Sequence, residues 1–374
     1  MNKLLSGGSG GRGRSFVGIP SSTPVYSGTM DPPPPSPVGL PDNSLYFKYY
    51  NQLGNVRFYN GVFIATEGNH VFSSTDALSW TMRIEHAGIT AIAAGNGYYV
   101  AVGADGFVAY SADAITWTID LTFPGVDDNG IADVCFSSAD NLFYMCVNQG
   151  MYIEVYSYDP AGPTFVMVHD INSTEPDTVH AIGASYYCLS PNPSANPRVE
   201  VLGKYDDGAG STGRLRTYMD DAGNWNDEYD TAQLPAIANL PKKICQWQWP
   251  NVAPPNGPHY GFDTVYENGY VRLQHANTYS WSSGITSDTV ESLFDVVCRA
   301  SDGNLVVVGN NGKICSGLVT GTVGQALTAR VSGTTQNLRG VCWNGANFVA
   351  TGNGLDVLFS ADGVTWTKSV AVII

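Results

Sequence analysis

An eleven-residue pattern returns three times in this chain: Val71-Phe-Ser-Ser-Thr-Asp-Ala-Leu-Ser-Trp-Thr, Val108-Ala-Tyr-Ser-Ala-Asp-Ala-Ile-Thr-Trp-Thr and Val357-Leu-Phe-Ser-Ala-Asp-Gly-Val-Thr-Trp-Thr. It sets Ser74, Ser111 and Ser360 two residues ahead of Asp76, Asp113 and Asp362, and Trp80, Trp117 and Trp366 four residues behind each aspartate. A carboxylate so placed can accept hydrogen bonds from backbone N–H groups two or three residues on, while the indole packs beneath the hairpin. Upstream of each copy lies a second shared block: Asn60-Gly-Val-Phe-Ile-Ala-Thr, Asn96-Gly-Tyr-Tyr-Val-Ala-Val-Gly and Asn344-Gly-Ala-Asn-Phe-Val-Ala-Thr-Gly. Its Asn-Gly dipeptide marks a tight hairpin between two apolar strands.

One unit therefore reads as a strand, an Asn-Gly turn, a second strand, a Gly-rich turn, a third strand, the aspartate turn and a short Trp strand. Weaker copies fill the middle of the chain. Asn277-Thr-Tyr-Ser-Trp281 and Asp221-Ala-Gly-Asn-Trp225 keep the spacing, and the segment from Ser157 to Phe165 keeps Ser, Asp and Thr with Phe in place of Trp. A seventh unit shows its first half from Leu293 to Gly309. The average unit is roughly 48 residues, a size typical of radial β repeats. A lone four-stranded sheet cannot bury both faces, so the units must stack about an axis. The expected fold is all-β: a β-propeller of seven four-stranded blades over residues 43–374, preceded by an extended arm, residues 1–42.

The Ser-x-Asp-x-x-Thr-Trp turns resemble the Asp-box, or BNR-like, repeats of sialidases. The fuller unit is similar to repeats of photosynthesis assembly factors and of many bacteriophage tail proteins. In that family the turns lie on the outer rim and stabilise blades. The resemblance thus implies a structural role for Ser74, Asp76, Trp80, Ser111, Asp113, Trp117, Ser360, Asp362 and Trp366, and no catalytic one. A sialidase would need three converging arginines, a Tyr activated by a Glu, and an Asp acid. The Arg-Ile-Pro signature ahead of the first blade is absent, since Phe16-Val-Gly-Ile-Pro lacks the Arg.

The arm carries Gly7-Gly-Ser-Gly-Gly-Arg-Gly and Asp31-Pro-Pro-Pro-Pro-Ser-Pro, segments with too little apolar surface to fold alone. The chain has a net charge of −15; Lys3, Arg12 and Arg14 against Asp31 and Asp42 give the first 42 residues +1, which leaves −16 to the body. An acidic body repels nucleic acid and anionic membranes. Arg12 and Arg14 are candidates for anchoring the arm to an acidic neighbour, or belong to a solvated tail. The start lacks the apolar stretch of a secretory signal, and no run is long and apolar enough to span a membrane. The expectation is synthesis in a host cytoplasm without export.

Seven cysteines (Cys135, Cys146, Cys188, Cys245, Cys298, Cys315, Cys342) show no CxxC pair, which argues for reduced thiols. Neither they nor the six histidines show metal-ligand spacing, and Asp127-Asp-Asn-Gly does not continue into an EF-hand pattern. No metal or cofactor is expected. Trp247, Trp249 and Tyr260 form either a sugar-stacking or protein-docking patch, or a buried strand with an ordinary loop. Together the arm, the scarcity of lysine and a surface rich in Asn, Gly, Thr and Tyr lead to one expectation. The chain is a non-enzymatic virion structural protein of a phage tail, its propeller a docking or receptor-binding platform. Its partners would be other virion proteins through the arm, and a host surface glycan. The alternatives are a sialidase-like glycoside hydrolase and a carbohydrate-binding propeller.

Overall fold

The computed structural model describes residues 52–124, 130–138, 140–149, 152–172, 178–186, 197–206, 212–219, 224–230, 241–249, 259–266, 269–275, 285–287, 291–318 and 326–374. Within several strands of the middle region, 246–249 among them, only the backbone path is described. The chain divides into two units, Met1–Asp42 and Asn43–Ile374, and every described residue lies in the second.

Among the described residues the strands fall into seven antiparallel meanders of four. The first is β1 (Gly54–Tyr59), β2 (Val62–Glu67), β3 (His70–Ser74) and β4 (Ser79–Glu85). The second is β5 (Ile89–Gly95), β6 (Tyr98–Gly103), β7 (Val108–Ser111) and β8 (Thr118–Asp120), and the third β9 (Ile131–Ser137), β10 (Leu142–Gln149), β11 (Tyr152–Asp159) and β12 (Thr164–Asn172). The fourth comprises β13 (Thr178–Tyr186), β14 (Pro197–Asp206), β15 (Thr212–Met219) and β16 (Trp225–Asp230). The fifth comprises β17 (Pro241–Trp249), β18 (His259–Tyr266), β19 (Tyr270–His275) and β20 (Ile285–Ser287). β21 (Leu293–Arg299), β22 (Asn304–Gly309), β23 (Ile314–Leu318) and β24 (Ala326–Arg330) make the sixth, which supplies the second half that its sequence left unmarked. The seventh is β25 (Leu338–Trp343), β26 (Phe348–Gly352), β27 (Asp356–Ser360) and β28 (Thr367–Val370), after which comes a short extra strand, β29 (Val372–Ile373).

Turn chemistry sets the meanders. Tyr59 pairs with Val62, and Asn60 and Gly61 between them both take positive φ (47° and 81°), the conformation a two-residue hairpin needs to match strand twist. Asn96 and Gly97 repeat it.

The first strands of successive meanders lie against one another in the cyclic order β1, β5, β9, β13, β17, β21, β25 and back to β1. This is a β-propeller. Its core lies between meanders: Ile64 and Val71 of the first pack with Tyr99 and Ala109 of the second, and Val306 and Ile314 of the sixth with Phe348 and Leu358 of the seventh. Spacing is tight enough that a Cβ on Gly95 would stand 2.1 Å from the Phe136 ring of the next meander. The ring closes twice, by a parallel bridge from Gly54 to Arg339 between first strands, and by β29, which pairs parallel with β4 at the rim.

Candidate functional site

In an antiparallel meander the first-to-second and third-to-fourth turns share one end, and the second-to-third turn and the onward link share the other. The aspartate turns are third-to-fourth turns, so they stand at one end of the ring with the Asn-Gly hairpins. Asp76 Oδ1 accepts the N–H groups of Leu78 and Ser79, both at 2.7 Å, and the Ser74 hydroxyl at 2.9 Å. Asp113 accepts those of Ile115 and Thr116, and Asp362 those of Val364 and Thr365, with Ser111 and Ser360 in the place of Ser74. Backbone donation from Thr116 and Ile115 holds the Asp113 carboxyl at about 2, and Thr365 and Val364 lower that of Asp362. Burial works to raise Asp76, but the Ser79 and Leu78 N–H groups outweigh it and the net shift is downward.

Each tryptophan is driven into the seam with the preceding meander. Trp80 is fully buried among Val349 and Val357 of the seventh, Trp117 packs with Ile64 and Val71 of the first, and Trp366 against Val306 of the sixth. The sixth meander also grips the seventh's aspartate turn by its carbonyls: Arg299 donates to Ala361, Asn304 to Asp362 and Ser316 to Gly363, each at 2.7 Å. These turns join blades, and each aspartate's Oδ1 is taken up by the hydrogen bonds of its own turn.

The opposite end is built by a feature that escapes sequence reading. All seven first strands slip register near their start, between Gly54 and Arg57, Ile89 and Ala91, Ile131 and Asp133, Val179 and Ala181, Pro241 and Lys243, Leu293 and Asp295, and Leu338 and Gly340. A bulge turns one side chain out of the pleat and re-aims its neighbours. Around part of the ring the re-aimed groups touch: Asn55 Nδ2 donates to the Thr90 carbonyl, the Thr90 hydroxyl to that of Ile131, and the Arg339 guanidinium lies 4.3 Å from the centre of the Phe294 ring. Arg339 has no carboxylate partner among the described residues, and burial holds its pKa below the ordinary value.

Just past the bulges lie two buried ion pairs of the same design. Asp295 accepts the N–H of its neighbour Val296, and its other oxygen takes the Val341 N–H and Arg57 Nη1, each at 2.9 Å. Asp133 likewise accepts the Val134 N–H and pairs with the Lys243 ammonium. Each pair steps over one first strand, β25 in one case and β13 in the other. Burial opposes charge on Arg57, but the Asp295 carboxylate prevails and its pKa is raised.

Thiol chemistry has little purchase here. Burial lifts the Cys135 and Cys146 thiols well above the ordinary range and pushes Cys342 up to about 12. Among the described residues no disulfide forms and no three His, Cys, Asp or Glu gather to hold a metal. Trp247 and Trp249 lie on β17 and Tyr260 on β18, where the backbone register pairs Tyr260 with Gln248; their side chains, like Arg12 and Arg14, lie outside the described residues. No helix there is long and apolar enough to cross a membrane.

The ring of meanders defines the chain as a β-propeller. It is similar to the solved structure described as "YCF48 bound to D1 peptide", with a TM-score of 0.52 and 12% identity over 86% of this chain and 92% of that one, a likeness of fold. No family model matches the sequence, and no curated protein matches it.

Proposed function

We propose that this propeller is a non-enzymatic docking platform, a seven-bladed structural component of a phage tail fastened to its neighbours by residues 1–42. The observation that carries the platform reading is the bulge repeated near the start of every first strand, at the end of the ring away from the aspartate turns. That end carries Thr90, Phe294 and Arg339, a mixture of neutral, aromatic and cationic groups suited to protein recognition. YCF48, which shares the fold, is bound to a D1 peptide.

Hydrolysis of sialosides requires three arginines to converge. Three arginines stand on first strands, and each is turned to a different place: Arg57 to Asp295, Arg299 to Asp302 and Arg339 to Phe294. The virion assignment rests on the arm and the resemblance of the repeats.

The test is complementation of particles lacking the wild-type chain. The variant without residues 1–42 is expected to fold and fail to incorporate, Arg339→Glu to incorporate while weakening attachment of the next component, and the purified chain to release no sugar from a sialoside. Undiminished incorporation without the arm defeats the anchoring role, and sialoside turnover defeats the non-enzymatic one.

A further inference from the structure

In a chain of 18 lysines and arginines against 33 aspartates and glutamates, three of the cations line one cavity. The cavity has a volume of about 580 Å³ and lies where the 3₁₀ turn Asn310–Gly312, between β22 and β23, and the link from β24 to β25 face Lys368 of β28. No carboxylate is among its lining residues, of those described.

The three cations differ in what already holds them. Lys368 Nζ lies 2.9 Å from Asp356, whose carboxylate is buried and also takes the Thr334 hydroxyl, so this pair is satisfied internally. Arg330 sits opposite Ile314 in register, beside Lys313, and spends Nε on the Ser316 hydroxyl at 2.9 Å while facing no carboxylate among the described residues. The Lys313 backbone closes the 3₁₀ turn onto Asn310, but its ammonium has neither an ion pair nor a hydrogen bond among them. Thr335 and Gln336, both exposed on the link, add neutral donors. Gly333, at φ 76° and with nothing within 4 Å of a Cβ, leaves the mouth open.

The acidic remainder of the body does not cancel this cluster. Charges in physiological salt are screened over about 8 Å, so the local cations decide the potential inside the cavity. Among the described residues, Glu291, which accepts from Asn311 at the rim, is the one carboxylate joined to a lining residue besides Asp356.

We propose that this cavity binds a small polyanion carrying at least two carboxylate or phosphate groups, one met by Lys313 and one by Arg330. The volume lies within the range of small-molecule sites, roughly 300–1,000 Å³. The site is also set in advance: Lys313 immediately precedes β23, whose first residue Ile314 pairs with Arg330, so the β23–β24 pair brings both cations to the one cavity before any ligand arrives.

Calorimetric titration of the full chain with citrate, and separately with pyrophosphate, tests this and distinguishes the two acid groups. One or both are expected to bind, weakened about tenfold by Lys313→Gln and by Arg330→Gln, as loss of a charge-assisted hydrogen bond requires, and unaffected by Arg83→Gln on the distant β4. Lys313→Gln removes no ion pair or side-chain hydrogen bond among the described residues, and its thermal transition should match the wild type. Absence of heat with both probes at millimolar concentration, binding that survives both substitutions, or equal weakening by Arg83→Gln overturns the site.

Discussion

Arg57 and Asp295 are 238 positions apart in sequence and meet at 2.9 Å, with the Asp295 carboxylate simultaneously fixing the N–H of Val341 on the strand between them. One carboxylate thereby ties three first strands, β21, β25 and β1, at the seam where the first meander meets the seventh.

That arrangement makes the pair costly to break and cheap to replace. Arg57→Met leaves Asp295 buried without its cation, and an uncompensated buried charge costs about 3–5 kcal/mol. Arg57→Met with Asp295→Asn should recover much of this, since Asn keeps an acceptor for Val341. Urea unfolding of the two variants checks it; equal losses would show that the ion pair contributes nothing beyond the size of its parts.

Trp80 and Trp117 occupy equivalent turns with different hydrogen bonding. The Trp80 indole N–H donates to the Ala77 carbonyl at 2.8 Å, as Trp366 does to Gly363, while the buried Trp117 N–H has no acceptor among the described residues. Trp80→Phe should therefore destabilise by about 1 kcal/mol more than Trp117→Phe, the net worth of one such bond. Comparing denaturation midpoints of the two variants reads the difference directly, and a larger loss for Trp117→Phe would contradict it.

The aspartate turns give the fold an acid limit. Asp76, Asp113 and Asp362 have folded pKa values below the unfolded value of about 3.9, Asp113 at about 2. For a depressed carboxylate the folded state binds fewer protons than the unfolded one, so its contribution is present above the unfolded pKa and is lost as pH falls through the folded one. Stability should decline between about pH 4 and pH 2, less steeply in Asp113→Asn. Thermal melts across that window test it; an unchanged slope in the variant would remove Asp113 from the account.

Rim closure depends on the last residues of the chain. Val372 and Ile374 donate to the Leu78 and Trp80 carbonyls, and Ala371 and Ile373 pack beside Trp80. Ile373→Ala should cost about 2–3 kcal/mol, within the usual span for a buried large-to-small change, and accelerate amide exchange in β4 ahead of β8. Exchange that rises equally in both strands would mean the closure is not local.

The hairpins and aspartate turns were legible in the sequence because their hydrogen bonds join residues two or three apart, as Ser74, Asp76 and Ser79 do. Asn-Gly pairs announced the strand reversals for the same reason. The bulges carry no common residue, being filled by Asn55, Thr90, Ala132, Phe294 and Arg339 among others, so nothing in the string of letters marks them.

The order of the meanders, then, was written in repeated local chemistry. Which distant groups share a space was decided only by closure of the ring, which brings Arg57 to Asp295, Lys243 to Asp133, and Lys313 and Arg330 to the side of Lys368. Such pairings depend on the stacking of whole blades, whose apolar faces fit many neighbours equally well in pattern, and become definite only when every face has found its partner.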